Sequence, residues 1–430
     1  MRKTMVLVLF IGALLLAFSC DLFDGDNDDS ISIVNVNANA LLAPSYGNVD
    51  PAIKTAALGA NDFAFRLGKE LVKDNIGKNF VFSPYSVWLP LAALVNAAAP
   101  QHKAALLGAL GARGITEDDI NKAASRMLYD LTNARAEKEK DYYNPLKIVN
   151  AIFVDKRVTL RRDFAQAYMD FYRGSSINVD FSTRDAVNAV NRWASNNTEG
   201  LITDLIQEFD PLTLAAIANA IYFSDRWSWE FEPTDTKEDV FHAPAGDSRA
   251  FYMLHEGPNQ TYYEDNKVQA ISLAFKHSAG MYIILPKTGG AEALLSSMTN
   301  EYFAEIQSNT FKAEGKLLLP RFSIENGTMD LSESLKALGV PLFEEDSITG
   351  LIQEYPLYIS AAIQKALIKV DEKGTTAAAV TVIIAENTSA GPQPNVPFEM
   401  ICDRPFMFIL YDYTYENGAQ ILFTGIVNQP

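Results

Sequence analysis

The chain has 430 residues, of which 48% are apolar and 21% charged, a composition typical of a globular protein with a sizeable core. Its 53 acidic and 36 basic residues give a net charge of −17. Nucleic-acid binding needs concentrated Lys and Arg, so this charge argues against a nucleic-acid partner.

The chain begins with a predicted export signal. Basic residues precede an apolar run from Met5 to Phe18, which suits the core of a signal peptide and is short for a membrane span. The run ends in LLAFSC, which resembles the lipobox at which bacterial lipoproteins are cut and acylated on the cysteine, here Cys20. We expect residues 1–20 to be a signal peptide with this lipobox. The protein is then exported and membrane-anchored, or secreted if the cysteine is incidental.

Residues 21–50 are predicted to be an acidic, flexible tether. Five Asp fall within the first nine residues after Cys20, and Asn, Ala, Ser and Pro follow. Such a composition buries too little apolar surface to fold. Cys402 is the cysteine that remains in the folded part, so we expect no internal disulfide despite export.

From residue 51 onward, helical and strand patterns alternate without an internal repeat. Apolar periodicity predicts helices over NDFAFRLGKELVKD, SVWLPLAALVNAA, DFAQAYMDFYR and RDAVNAVNRWASNNT, of which the second is apolar nearly all round and predicted to be buried. Short β-rich runs predict strands at LKIVNAIFVD, GMYIILP and GKLLLPRFSIE. Composition does not break in the middle, so residues 51–430 are predicted to form one α+β domain.

No catalytic or metal motif stands out in the sequence. The histidines are far apart and lack the spacing of zinc ligands: His102, His242, His255 and His277. There is no G-x-S-x-G elbow, phosphate-binding loop or dinucleotide fingerprint after a strand. We therefore expect no enzymatic activity, cofactor or metal, and a hydrolase is the weaker hypothesis.

The stretch from Glu372 to Phe398 joins a strand-like start to a long irregular end. Small residues in TTAAAVTVII give way to β-branched ones, and neither alternating row carries a charge. No Pro interrupts the chain between Gly374 and Gly391. A core strand followed by a hairpin would fit the composition, but long irregular loops in compact domains are usually functional or disordered.

Five segments resemble the serpins and follow one another in the order of that family. They are NFVFSPYSVWLPLAAL, NAIYFSDRWSWEFEPTDTKEDVFH, LLLPRFSIENGTMDLSESLKALGV, QKALIKVDEKGTTAAA and DRPFMFILYD with ILFTGIVNQP. Together they cover essentially residues 51–430, and the whole chain resembles a bacterial lipoprotein-type inhibitory serpin. The resemblance implies an α+β fold with a large central β-sheet, further sheets, about eight or nine helices and an exposed reactive loop.

The resemblance also implies a function. Inhibitory serpins are suicide substrates whose reactive loop is cleaved and inserted into the central sheet, which traps the acyl-enzyme. The residues implied as the loop hinge are Glu372, Gly374, Thr375, Thr376, Ala377, Ala378, Ala379 and Thr381. The alternative is a non-inhibitory serpin-fold binding protein, although such members usually carry charges, Pro or bulk in the hinge.

The position of the reactive bond follows from the family's spacing. Counting from Gly374 places it at Thr388–Ser389, and counting back from the DRPF segment places it near Gly391. Because the inserted length must match the sheet, we favour the first count, within a window from Glu386 to Ala390.

Other positions match the family one by one. Ser83, Ser86, Asn219 and Gln364 match its polar sheet-opening cluster, and Gln364 replaces the usual His and cannot become charged. Glu372 and Arg321 match its ion pair at the loop base, although two independent surface charges would also fit.

The loop composition indicates a target class. Between Thr375 and Asp403 there is no Lys or Arg, and the one aromatic residue is Phe398. This composition disfavours trypsin-like and chymotrypsin-like enzymes. We expect an elastase- or subtilisin-like serine protease, or a papain-like cysteine protease, as the partner of a monomer that contacts the membrane through acylated Cys20.

Overall fold

Helices and strands alternate along the chain as the residue patterns predict. The structure is a computed structural model that describes residues 6–12, 40–41, 50–132, 145–277, 279–375, 397–414 and 418–430. The α-helices in these ranges are α1 (Pro51–Leu71), α2 (Pro84–Leu94), α3 (Pro100–Ala109), α4 (Glu117–Thr132), α5 (Arg162–Tyr172), α6 (Arg184–Asn196), α7 (Gly290–Ser297), α8 (Asn300–Ser308) and α9 (Ser332–Ala337).

The strands belong to two large sheets and two short ladders. They are β1 (Val6–Gly12), β2 (Phe80–Phe82), β3 (Leu146–Asp155), β4 (Gly174–Val179), β5 (Thr213–Phe223), β6 (Asp225–Arg226), β7 (Lys237–Ala243), β8 (Gly246–Glu264), β9 (Val268–Ala274), β10 (Gly280–Pro286), β11 (Phe311–Pro320), β12 (Phe322–Glu325), β13 (Met329–Asp330), β14 (Tyr358–Lys365), β15 (Leu367–Val370), β16 (Gly374–Thr375), β17 (Phe398–Ile401), β18 (Phe406–Thr414) and β19 (Gly418–Val427). The α+β class and the predicted large sheet with further sheets are confirmed.

Local sequence explains the two N-terminal helices. Asp50 caps α1 by accepting a hydrogen bond from the backbone N–H of Ala52 at 2.9 Å, and Pro51 occupies the first helical position, where its missing N–H costs nothing. Every residue of α2 is buried, as its nearly continuous apolar sequence predicts. Helix α2 therefore lies in the core beneath the sheets.

The first sheet has the strand order β13-β14-β1-β5-β3-β4. Strand β5 runs antiparallel to β3, and both β5 and β14 run parallel to β1. All residues of β5 are buried, and its sequence, TLAAIANAIYF, is rich in alanine. A strand covered on both faces needs such an almost uniformly apolar sequence.

The N-terminal apolar run contributes a strand to this sheet. Residues 6–12 lie within the stretch predicted as a signal peptide, and they pair with β5 on one side and β14 on the other. Within the predicted tether, Leu41 is buried in the core and Asp50 caps α1. The rest of residues 21–50, and Cys20, lie outside the described residues.

The second sheet has the order β17-β11-β8-β9-β10-β18-β19-β2, with β7 paired to β8. The two short ladders join β12 to β15 and β16 to β6. Because β15 and β16 follow β14 directly along the chain, these ladders lie beyond the C-terminal end of β14. The second ladder holds the start of the predicted hinge.

Candidate functional site

A strand position lies in the middle of the first sheet, between β5 and β14, and we call it the central position. Strand β1 occupies it, with Val8 paired to Ala216 of β5 and to Ala361 of β14. Backbone pairing to β5 extends from Val6 opposite Thr213 to Gly12 opposite Ala220. The sheet therefore accommodates one further strand at this position, held by main-chain hydrogen bonds on both sides.

The hinge start, residues 372–375, is docked against the chain just beyond the C-terminal end of β5. Gly374 pairs with Arg226 and Thr375 with Asp225 in an antiparallel ladder. Thr375 is buried, and its carbonyl oxygen accepts a hydrogen bond from the Ser224 hydroxyl at 3.2 Å. The structure thus begins a strand antiparallel to β5, the direction that an inserting loop would take.

Gly374 is required by this close approach. Its φ is +142°, and a Cβ there would lie 2.2 Å from the carbonyl oxygen of Asp225. Both the conformation and the contact exclude larger residues. A cleft lined in part by residues of β5 and β15 and by Thr375 borders the docked segment.

Trp227 holds the hinge start through two hydrogen bonds. Its backbone N–H donates to the carbonyl oxygen of Lys373 and its indole N–H to that of Asp371, each at 2.9 Å. The ring stacks on Phe275 with centroids 4.2 Å apart. The sequence contained a signal for this residue, the Trp of the segment NAIYFSDRW, but did not indicate that it contacts the hinge.

Glu372 and Arg321, predicted to pair, are in contact. The Arg321 guanidinium donates through Nε at 2.7 Å and also through Nη2, and the Thr236 hydroxyl donates to the same carboxylate oxygen at 2.5 Å. Burial alone would raise the pKa of Glu372, but the hydrogen bonds from Arg321 and Thr236 outweigh it and lower that pKa below 4.5. The carboxylate is therefore held ionised at the base of the loop.

The four residues predicted as a sheet-opening cluster are all buried and form two contacts. Gln364 of β14 accepts a hydrogen bond from the Ser83 backbone N–H at 3.2 Å and donates to the Ser83 carbonyl oxygen at 2.9 Å. The Ser86 hydroxyl donates to Asn219 of β5. The two contacts therefore hold the two strands that border the central position.

Asn150 extends this cluster and was not indicated by the sequence. The Asn219 amide donates to the Asn150 side chain at 2.7 Å, and the Asn150 amide donates to the Tyr172 carbonyl oxygen at 2.6 Å. Asn150 lies in LKIVNAIFVD, where a polar amide within the otherwise apolar run IVNAIFV is a usable signal for a buried polar network.

Several predicted site residues lie outside the described residues. They are Thr376, Ala377, Ala378, Ala379 and Thr381 of the hinge, Thr388 and Ser389 of the reactive bond, and Cys20. In the described part of the chain, no three or more His, Cys, Asp or Glu side chains are grouped to hold a metal ion. No helix in those same ranges combines the length and apolar character that crossing a bilayer requires.

These features define an α+β protein whose central sheet accommodates an extra strand and whose hinge start is already paired beyond that strand position. Residues 58–430 match the family model described as Serpin (serine protease inhibitor). The chain belongs to the serpin family, whose members are mostly inhibitors that target serine proteases.

Individual relatives cover the chain almost as fully. It is 30% identical to an uncharacterized serpin-like protein of Thermococcus kodakarensis over 86% of this chain and 84% of the relative. It is 28% identical to the plasma serine protease inhibitor of Bos taurus over 89% and 93% of the two chains. Among solved structures, the thermophilic serpin tengpin in its native state superposes with a TM-score of 0.76 at 25% identity, over 93% of this chain and all of that one.

We predict that Glu372→Gln destabilises the protein in a pH-dependent way. The folded protein lowers the pKa of Glu372, so its stabilisation is present above the usual value of 4.5 and is lost as the pH falls through the lowered value. At neutral pH the variant should lose about 1 kcal/mol, because Arg321 remains partly in water and screening reduces the interaction. Urea unfolding across pH measures this difference, which should vanish in acid.

The matched control is Glu333→Gln, which removes the exposed pair that Glu333 forms with Lys336. This control should leave the unfolding midpoint unchanged at every pH. Equal midpoints for wild type and Glu372→Gln at neutral pH would mean that the two charges act independently.

Proposed function

We propose that the protein inhibits proteases as a suicide substrate. A protease cleaves the reactive loop, the loop inserts at the central position between β5 and β14, and the acyl-enzyme is trapped. The observation that carries this proposal is the antiparallel pairing of Gly374 and Thr375 with the chain just after β5. This pairing lies next to the central position, where the sheet accommodates a further strand. The hinge is thus already in the direction and place from which insertion would proceed.

The register of that pairing supports the predicted reactive bond. Thr375 lies opposite Asp225, so each later loop residue would lie opposite the residue one position earlier on β5. Ala377 would then face Phe223, the last residue of β5, and Asn387 would face Thr213, its first. Insertion would fill β5 completely just before Thr388–Ser389, within the window from Glu386 to Ala390.

The predicted hinge composition supports insertion over a purely binding role. No residue from Thr375 to Ala385 is charged, and none is Pro. A strand entering the middle of a sheet loses water on both faces, so an unpaired charge would oppose insertion, and Pro would remove a ladder hydrogen bond. These residues suit a strand that becomes buried.

The two polar contacts and the ion pair would have separate roles. Ser83, Ser86, Asn219 and Gln364 would keep their hydrogen bonds as β5 and β14 part, by exchanging partners. The Glu372–Arg321 pair would fix the point from which insertion starts. Because Gln364 cannot become charged, this cluster would not respond to acid.

Insertion also requires that β1 leave the central position. Residues 6–12 pair with β5 from Thr213 to Ala220, which are the residues that the inserted loop would face. Removal of residues 1–19 at the proposed lipobox would free them. We propose that the exported, processed chain is the inhibitory form.

The proposed targets are elastase- or subtilisin-like serine proteases, or papain-like cysteine proteases. The loop offers no Lys or Arg to a trypsin-like pocket, whose buried carboxylate would then remain unpaired. Val382, Ile383, Ile384 and Ala385 suit apolar subsites upstream of the bond.

We predict that the exported protein forms a covalent complex with at least one elastase- or subtilisin-type enzyme. Denaturing electrophoresis should show an SDS-stable band, and mass spectrometry should map cleavage between Glu386 and Ala390. Trypsin, incubated under the same conditions, should not be trapped. Cleavage without any stable band, across the whole panel of proteases, would favour the non-inhibitory binding protein.

We predict that Thr375→Arg converts the inhibitor into a substrate. Thr375 is buried in the docked ladder, and burying an unpaired guanidinium costs on the order of several kcal/mol, so insertion should be slower than deacylation. The fraction of inhibitor cleaved without complex formation measures the effect. Thr375→Ser is the matched control and should still trap the protease; equal trapping by the Arg variant would contradict this placement of the hinge.

We propose, independently, that the chain is a lipoprotein anchored at Cys20. Acylation adds buried CH₂ groups to the membrane and holds the domain through the acidic tether. The serpin relatives do not decide this point, so the support is the sequence LLAFSC alone.

We predict that Cys20→Ala moves the protein from the membrane fraction to the soluble fraction. Cys402→Ala is the matched control and should leave the distribution unchanged, because Cys402 is buried in the core and unavailable for acylation. Intact-mass measurement of the native protein should show the added acyl chains. An unacylated, soluble native protein would leave secretion as the outcome.

A further inference from the structure

Asp225 is a buried carboxylate held by His277. Its side chain is 2% exposed, and its Oδ1 lies 2.8 Å from the Nδ1 of His277. Its Oδ2 accepts a hydrogen bond from the His277 backbone N–H at 2.9 Å. Imidazole and backbone of one residue thus fix both oxygens of the carboxylate.

The backbone of the same residue carries the docked hinge. Asp225 and Arg226 form β6, and Thr375 and Gly374 pair with them on one side. On the other side, the carbonyl oxygen of Arg226 accepts a hydrogen bond from the backbone N–H of Lys276, next to His277, at 2.9 Å. Strand β6 is therefore held between the hinge and the turn that bears His277.

The neighbouring charges are engaged with one another. Arg226 donates to Glu230 at 2.6 Å, and Lys276 donates to the other oxygen of Glu230 at 3.1 Å. From the hinge side, Glu372 is paired with Arg321. Next to Glu372, the Asp371 carboxylate accepts a hydrogen bond from the Lys373 backbone N–H at 3.0 Å.

We propose that His277 is a positioning residue that acts through Asp225 to hold β6 in the register on which the hinge docks. Hydrogen bonds to a carboxylate are charge-assisted and stronger than neutral ones, so the two contacts from His277 hold Asp225, and with it β6, in place beside the hinge. The consequence for inhibition rests on the proposed function, because a docked hinge is the first step of insertion.

The test measures hinge docking directly. The amides of Trp227 and Phe231 donate to the carbonyl oxygens of Lys373 and Glu372, so their hydrogen exchange reports undocking. Exchange is followed by mass spectrometry in the full chain, under identical conditions for every variant.

Three variants separate positioning from a merely structural contact. His277→Ala removes the imidazole and should speed exchange of these amides about fivefold to tenfold, the effect expected for loss of one hydrogen bond. His277→Asn keeps a donor near the Nδ1 position and should restore most of the protection. Asp225→Asn removes the carboxylate and should also speed exchange.

The matched control is His242→Ala. His242 and Asp247 form an exposed pair with the same 2.8 Å separation on the β7–β8 hairpin, away from the hinge. This variant should behave as wild type. Unchanged protection in His277→Ala, or the same loss of protection in His277→Asn as in His277→Ala, would overturn the proposal.

Protease trapping by the same proteins distinguishes the two levels. If the exchange results are as expected but neither the wild type nor any variant traps a protease, the positioning role is supported and the inhibitory function is contradicted. If wild type and His277→Ala trap equally well with equal protection, the function stands and the positioning role fails. If His277→Ala docks poorly and is cleaved more often without trapping, both stand.

Discussion

Main-chain hydrogen bonding at the central position is the constraint on which the rest of this molecule depends. Strands β5 and β14 each carry donors and acceptors along the edge that faces the other, and in a buried sheet such groups must be paired. Any segment of extended backbone satisfies them, largely independently of its side chains. The sheet can therefore pair with different extended segments at the central position.

In the proposed insertion, strand pairing would supply the driving force, and the hinge contacts would set the starting point. The eleven residues of β5 offer a full strand's length of pairing, and at about 1 kcal/mol net per hydrogen bond this amounts to on the order of 10 kcal/mol. A partly exposed ion pair such as Glu372–Arg321 contributes about a tenth of that. The pair, Trp227 and Gly374 therefore set the place and register from which a much larger gain begins.

The two ends of the reactive loop are attached to different sheets. At its start, Thr375 is paired to β6 above the first sheet. At its end, β17 pairs with β11 in the second sheet, and Phe398 stacks on Tyr262 with centroids 3.9 Å apart. In the proposed mechanism, cleavage between these two attachments would free the loop to enter the central position.

Sequence periodicity predicted those parts of the fold that local chemistry determines. Strand β3 is LKIVNAIFVD and β10 is GMYIILP, as predicted, because short β-rich runs ended by turn residues define their own limits. The burial of α2 followed from its apolar sequence. The contact between Glu372 and Arg321 was predicted through the family resemblance, since nothing in the spacing of two residues 51 apart indicates it.

The remaining site residues could not be predicted because their contacts form only in the folded sheet. Asp225 and His277 are 52 residues apart, and Asn150 and Asn219 are 69 apart. Asn150 interrupts an apolar run, but nothing in the sequence indicates its partner, and Asp225 and His277 are ordinary polar residues in their local sequences. The place of residues 6–12 was equally hidden, because an apolar run suits a signal peptide and a buried strand alike.

The two occupants of the central region run in opposite directions, and this difference bears on control. Strand β1 is parallel to both β5 and β14, whereas the hinge start is antiparallel to the chain that continues β5. Because β5 and β14 run the same way, a strand between them can pair with both in either direction. The sheet itself therefore does not determine which segment occupies the central position.

Chain connectivity distinguishes the two segments. The hinge start follows Asp371 directly in the chain and is held by Trp227, whereas residues 6–12 are joined to the folded domain by a long N-terminal segment. In the proposal, removal of residues 1–19 on export would take β1 out of the central position and leave that position to the loop.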